Sequence, residues 1–222
     1  KLDIILVPIF TIMIGGAVGL LVGPPISNFM LALGELINWA VDKQPVIMGI
    51  LVSVLMGMIL TLPISSAALA IILNLSGLAG GAATVGCCAN MVGFAVASFK
   101  ENGISGLISQ GLGTSMLQVP NIMKKPIIWL PAIIASAILG PISTVVLHMT
   151  NNASGAGMGT AGLVGQLMTW QDMSGSENGV VLIIKIILLH FILPAVIAWV
   201  TSYIMRIKGL IKDGDMKLES SI

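Results

Sequence analysis

VVLIIKIILLHFILPAVIAWVTSYIM, residues 180–205, decides the fold class. A helix needs about 20 apolar residues to cross the hydrocarbon core of a bilayer. This run is longer, and Lys185 and His190 are its only ionisable groups before the terminal Tyr-containing turn. Working outward, residues 4–22, 45–73, 77–99 and 127–148 form four further apolar runs of spanning length. The composition agrees. Of 222 residues, 56% are apolar and 9% charged, whereas an ordinary soluble domain carries about a quarter charged residues. So few charges cannot clothe a water-facing surface. A soluble globular fold, a disordered chain and a basic nucleic-acid binder are all excluded. The net charge of +1 implies no polyanionic partner. The 26 glycines suit closely packed membrane helices and irregular backbone within a membrane. The expectation is an all-α integral membrane protein.

The breaks between runs define the topology. Gly23-Pro24-Pro25 is expected to end the first span, which carries Gly15, Gly19 and Gly23 as a small-residue ridge. An amphipathic interfacial helix, residues 26–41, should follow, with Glu35 on a solvated face and Trp39 at its end. Residues 45–73 are too long for one straight crossing, so Pro63 should kink or break them. Lys100-Glu101-Asn102-Gly103 reads as a turn, and Pro131 and Pro141 should bend the span at 127–148. The stretch 172–177 reads as an acidic loop and 206–222 as a charged tail. Lys43, Lys100, Lys124, Lys125, Arg206, Lys208 and Lys212 should share the cytoplasmic side, and the loop at 168–178, without Lys or Arg, should face outward. About five crossings plus two re-entrant hairpins satisfy this pattern. The chain begins at Lys1 on the edge of an apolar run with no export signal, so upstream spans are expected to be missing.

Two polar, glycine-rich stretches, residues 104–122 and 150–167, are the informative features. Non-helical backbone survives at membrane depth only where protein buries it or water reaches it. Thr114, Ser115, Gln118 and Asn121 cluster on the first, and Asn151 and Asn152, with Ser154, on the second. Uncharged amides and hydroxyls both donate and accept hydrogen bonds, which suits a neutral polyol or sugar. They also cap broken helices and hold helices together. Asn90, Lys185 and His190 are candidate intramembrane polar groups, since such residues are costly in a span. Lys185 lies close enough to the outer end to snorkel. His148 reads as a loop-facing structural residue.

Other motifs carry less. Gly157-x-Gly159-x-x-Gly162 has dinucleotide-fingerprint spacing, but membrane spans flank it and no βαβ unit does. Cys87 and Cys88 are adjacent, unsuited to a disulfide, and without a nearby His they make a poor zinc site. They read as small packing residues. No Ser-His-Asp arrangement, HExxH, Walker loop or paired intramembrane carboxylate is visible. No catalytic residue, metal or cofactor is expected.

Several segments together resemble the enzyme IIC membrane subunits of the bacterial phosphotransferase system, in the PfoR-like subgroup. They are Gly23-Pro24-Pro25 with Leu33-Gly34-Glu35-Leu36-Ile37-Asn38-Trp39, Leu62-Pro63-Ile64-Ser65-Ser66, Val85-Gly86-Cys87-Cys88-Ala89-Asn90, residues 111–121 and residues 151–159. The resemblance implies a homodimeric carrier in the bacterial cell (inner) membrane. Residues 1–74 would belong to a scaffold, 75–205 to a transport part that moves a sugar-like solute by an elevator motion, and 206–222 to a cytoplasmic tail. Phosphoryl transfer would come from a separate enzyme IIB. The pattern departs from the sugar-type members at two points. Thr114 is followed by Ser115 where the hairpin motif has Glu, and no His lies near Pro63–Ser66. A membrane-embedded sensor or regulator that keeps the enzyme IIC fold without phosphorylation-coupled transport is the alternative expectation.

Overall fold

Backbone groups in hydrocarbon have no water to bond, so apolar runs close their hydrogen bonds within helices. The computed structural model describes residues 3–218. Among these, four helical runs are long and apolar enough to cross a membrane: Leu6–Lys43, Gly77–Ala97, Pro126–Val146 and Gly179–Ile207. The apolar helix Pro45–Thr61 is shorter, at 17 residues. Each of the five expected spans overlaps one of these helices.

Helix α1 (Asp3–Lys43) corrects one expectation. It runs without interruption through Pro24 and Pro25, so there is no separate helix over 26–41. Each proline removes one N–H, but in an apolar setting the remaining groups have no better partner than their own helix. At 41 residues α1 extends about 60 Å, twice the hydrocarbon thickness. Its last turns dock on residues 74–76: Asn38 donates from Nδ2 to the Asn74 carbonyl (2.9 Å), and its Oδ1 accepts from the Ser76 N–H (3.4 Å). Glu35 and Trp39 are exposed.

Helix α2 (Pro45–Thr61) starts on a proline, where a missing N–H costs nothing. It ends because Leu62, preceding Pro63, is extended (φ −75°, ψ 160°). Ser65 then caps α3 (Ser66–Ile72) by accepting from the Ala68 N–H. The break at Pro63 is thus complete. Helix α4 (Gly77–Ala97) is the axis of the fold, buried along almost its whole length. It packs on α2 and on two later helices, α7 (Leu130–Pro141) and α11 (Leu193–Ile207). Gly57 and Gly86 allow the α2–α4 contact: a Cβ on Gly86 would overlap the Ser53 carbonyl, and one on Gly57 would overlap Asn90 and the Gly86 carbonyl.

The remaining elements are α5 (Phe99–Ile108), α6 (Val119–Lys124), α8 (Ala153–Ala156), α9 (Val164–Met173) and α10 (Gly179–Ile187). Lys100–Asn102 lie in a helical turn of α5, which Gly103 breaks at φ 57°, ψ −153°; the turn expected at 100–103 is confined to that glycine. Asp172 belongs to α9, so the connection begins only after Met173. Pro131 sits in the first turn of α7. Pro141 ends α7 and is followed by a widened π turn, Ile142–Val146. A second π turn, Leu188–Ile192, joins α10 to α11 just before Pro194. Local π turns are among the adjustments that re-satisfy backbone groups near prolines in membrane helices.

Candidate functional site

The first polar stretch forms two helical arms. Past Gly103, α5 widens into a π turn, Ser109–Gly113. Thr114 is extended (φ −159°, ψ 138°), and its Oγ1 accepts from the Met116 N–H (3.1 Å), starting the 3-10 turn Ser115–Gln118 that leads into α6. Gln118 ties the arms together by donating to Gln110 Oε1 (2.9 Å).

The tip of this hairpin meets an uncharged cluster between α2, α4 and α7. The Ser115 and Thr61 hydroxyls lie 2.9 Å apart. Asn90 is the hub. Its Oδ1 accepts from Trp129 Nε1 (2.8 Å) and Thr61 Oγ1 (3.2 Å), while its Nδ2 donates to Ser136 Oγ (3.1 Å) and the Gly86 carbonyl (3.2 Å). Ser53 donates to the Ser136 carbonyl (2.8 Å). All five side chains from Ser53, Thr61, Asn90, Ser115 and Ser136 are fully buried. A buried network of this kind fixes its neighbours only if every member is satisfied.

The other end of the hairpin holds the C-terminal tail. Gln118 Nε2 and Asn102 Nδ2 both donate to the Met216 carbonyl (2.9 Å each). Asn121 Nδ2 donates to the Lys217 carbonyl (3.0 Å) and to Gln118 Oε1 (2.9 Å). The Leu218 N–H returns a bond to Asn102 Oδ1 (2.8 Å). Ile211 and Met216 are buried in a cluster with Phe94, Ile122, Ile128 and Trp129. Ion pairs Lys125–Asp215, Lys100–Asp213 and Arg206–Glu101 surround the strap. The cations at 100, 125 and 206, assigned to one membrane side, therefore do converge.

Burial opposes ionisation of Asp215. Hydrogen bonds from Lys125 and the Lys212 N–H, with the charges of both lysines, outweigh it and hold the carboxyl below its ordinary 3.8. A depressed folded value means the stabilisation is complete above the unfolded value and is lost as pH falls through the folded one. The strap should therefore become protease-sensitive below about pH 4. In Asp215→Asn the sensitivity should already be present at neutral pH. Limited proteolysis with an acid-active protease and a neutral one reads both, and a strap as protected as wild type at neutral pH in the Asn variant would contradict this role for Asp215.

The second polar stretch is pinned to α4 and α9. Asn151 donates from Nδ2 to Thr84 Oγ1 (2.7 Å) and the Gly165 carbonyl (3.1 Å), and its backbone N–H bonds the Gly77 carbonyl (3.2 Å). Asn152 Oδ1 caps α8 by accepting from the Ser154 and Gly155 N–H groups (3.1 Å each). The two stretches meet at one bond, from Thr160 Oγ1 to the Gly111 carbonyl, with Met91 Sδ 3.4 Å from the same hydroxyl. Beside it, Gln166 Nε2 lies 3.3 Å from His190 Nδ1 and 3.4 Å from Cys88 Sγ, and its buried Oε1 has no partner. Lys185 pairs with Glu177 and donates to the Leu147 carbonyl (3.1 Å), which is the snorkelling geometry. His148 is exposed, with φ 47°.

Of the six residues expected to line a solute site, only Ser115 touches the Asn90 cluster. Thr114 and Asn152 are caps, Gln118 and Asn121 hold the tail, and Asn151 fastens the second stretch. No side-chain hydrogen bond joins the two groups directly. A cavity of about 360 Å³ beside Gly111, Leu112 and Phe191 is apolar and is lined by none of the six. Thr61, Trp129, Ser136, Thr160 and Gln166 enter the site without having been singled out. A signal for two of them, Thr61 and Ser136, exists: Ser53, Gly57 and Thr61, then Gly86 and Asn90, then Ser136, Gly140 and Thr144 recur at four-residue spacing, which puts small or polar groups on one helix face.

Apolar helices around buried, uncharged polar breaks define an all-α, multi-pass integral membrane protein. The chain belongs to a known family of such proteins: the family model described as "Phosphotransferase system, EIIC" matches residues 1–218. It is thus a membrane component of the phosphotransferase system type. No curated protein and no solved structure matches it.

Proposed function

We propose that the chain carries a neutral polar solute, a sugar or sugar-like molecule, across the bacterial inner membrane. It works as a homodimer, with phosphorylation, where it occurs, supplied by a separate enzyme IIB. The observation that carries this reading is the junction of the two polar stretches at Thr160 and Gly111, beside a buried cluster with no ionised group. Hydroxyls and amides that bond one another in the closed state can exchange those bonds for a polyol's hydroxyls at modest net cost, because each lost bond is replaced. Segments 104–122 and 150–167 line the route, with Thr114, Ser115, Gln118, Asn121, Asn151 and Asn152 as contacts during the cycle. Residues 75–205 form the moving part. Residues 1–74 form the scaffold, whose helix α2 packs against α4 at Gly57 and Gly86.

Purified protein in proteoliposomes should accumulate at least one labelled sugar from a panel, and added phosphotransferase components should convert the solute only if coupling is retained. Ser115→Ala, which removes one hydroxyl at the hairpin tip, should slow uptake by about tenfold, the loss of one substrate hydrogen bond of about 1.4 kcal/mol. No uptake of any sugar by correctly folded wild type would contradict the carrier reading and point to a sensor.

A further inference from the structure

A cavity of about 670 Å³ opens where the end of α4, the start of α5 and α11 meet, away from the Asn90 cluster. Its walls are apolar, from Val96, Phe99, Leu107 and Trp199, and Lys100 and Arg206 stand at its rim. A second hollow of about 550 Å³ shares Lys100, Tyr203 and Arg206 with it and adds Lys212 and Asp213. The two adjoin as a cleft with an oily floor and a charged mouth, and each is within the roughly 300–1,000 Å³ of ligand sites.

Three features point to an occupant. Ser202 lines the apolar part, is 2% exposed, and its hydroxyl has no hydrogen-bond partner. Buried polar atoms are almost always paired, so an acceptor atom from outside the chain completes it. Trp199 and Tyr203 stack at 5.7 Å on the same helix and are each 55% exposed, as amphipathic rings at a headgroup boundary are. At the mouth, Lys100, Arg206 and Lys212 face Glu101 and Asp213, leaving a cation in excess. Arg206 pairs closely with Glu101 (2.9 Å) and more distantly with Asp213 (3.3 Å). Lys100 is held only by Asp213, a pair whose side chains are 68% and 69% exposed, and so exposed a pair is weakly held.

We infer that this cleft seats a phospholipid with an anionic headgroup. One acyl chain lies against Val96, Phe99, Leu107 and Trp199, an ester oxygen accepts the Ser202 hydrogen, and the phosphate sits between Lys100 and Lys212. The site shares only Leu107 with the segments proposed to line the solute route, and it stands whether or not transport does.

The test uses the full chain in nanodiscs of phosphatidylcholine with or without phosphatidylglycerol, read by native mass spectrometry and thermal melting. Phosphatidylglycerol should remain bound in preference to phosphatidylcholine and raise the melting midpoint. Lys100→Gln with Lys212→Gln should weaken that preference about 25-fold, since each lysine that reaches the bound headgroup contributes about a fivefold attraction. Ser202→Ala should weaken binding of both lipids. Lys208→Gln, exposed but lining neither hollow, should change nothing. Equal retention of the two lipids, an equal effect from inorganic phosphate, an undiminished preference in the double variant, or an equal loss from Lys208→Gln would each overturn the inference.

Discussion

Gly86→Leu should leave little or no folded protein. The position faces α2 so closely that even a methyl group would overlap the Ser53 carbonyl, and the obstacle is backbone, which cannot rotate away. Overpacking a core by a methylene or two costs about 1–3 kcal/mol where side chains can yield. Here a whole isobutyl group would have to separate two helices, so the expected loss exceeds about 4 kcal/mol, in the range of the most damaging substitutions. Separation would also pull Thr61 from Asn90 and Ser53 from Ser136, whose bonds depend on the same approach. Gly15→Leu is the matched control. Nothing lies within 4 Å of the Cβ it would add, so the melting point in detergent should stay near that of wild type. A Gly86→Leu protein that elutes as a single species and melts within a few degrees of wild type would refute the α2–α4 interlock.

The second large effect is expected at Asn90→Leu. Leucine is close to isosteric but makes none of the four bonds, so Trp129 Nε1 and the hydroxyls of Thr61 and Ser136 all lose a partner. Thr61 and Ser136 have others, at Gly57 and Ser115 and at Ala132 and Gly86, whereas the indole N–H has no other partner among those described. An unsatisfied buried donor costs about 1–3 kcal/mol, and with the weakened hydroxyl bonds the total should be about 2–4 kcal/mol. Adding Trp129→Phe removes the stranded donor. The double variant should therefore lose about 1 kcal/mol less than the sum of the two single losses. Strictly additive losses in chemical unfolding would mean that Asn90 and Trp129 do not depend on each other.

Hydrophobic length alone locates the helices, since spanning a bilayer is a requirement on residue count that local sequence states directly. The break at Pro63 is equally local: an extended residue before proline and a serine cap after it both sit within four positions. Pro24-Pro25 misleads because the usual rule assumes water or a competing partner for the freed carbonyls, and an apolar helix such as α1 has neither. The polar residues divide along the same line. That Gln118, Asn121 and Asn151 would be buried and bonded follows from their surroundings in sequence. That Gln118 and Asn121 serve the carbonyls of Met216 and Lys217 does not, because the partners lie 98 and 96 residues away. Asn90 stood out as an isolated amide within a span. Its ring of Thr61, Ser136 and Trp129 is assembled from three other segments, and only the four-residue recurrence on α2, α4 and α7 hints at it.

The most direct measurement concerns whether the two polar stretches meet inside the membrane along the solute's route. Cysteine fits at position 111, where an added Cβ would approach nothing closer than Ala95 at 3.5 Å, and at position 160 it replaces a residue of similar size. In a background with Cys87 and Cys88 replaced by alanine, Gly111→Cys/Thr160→Cys protein should be joined by a short thiol-specific cross-linker in intact membranes, and joining should arrest uptake of the solute in reconstituted vesicles. Failure to cross-link with reagents of any short length, or full uptake by the joined protein, would contradict the account.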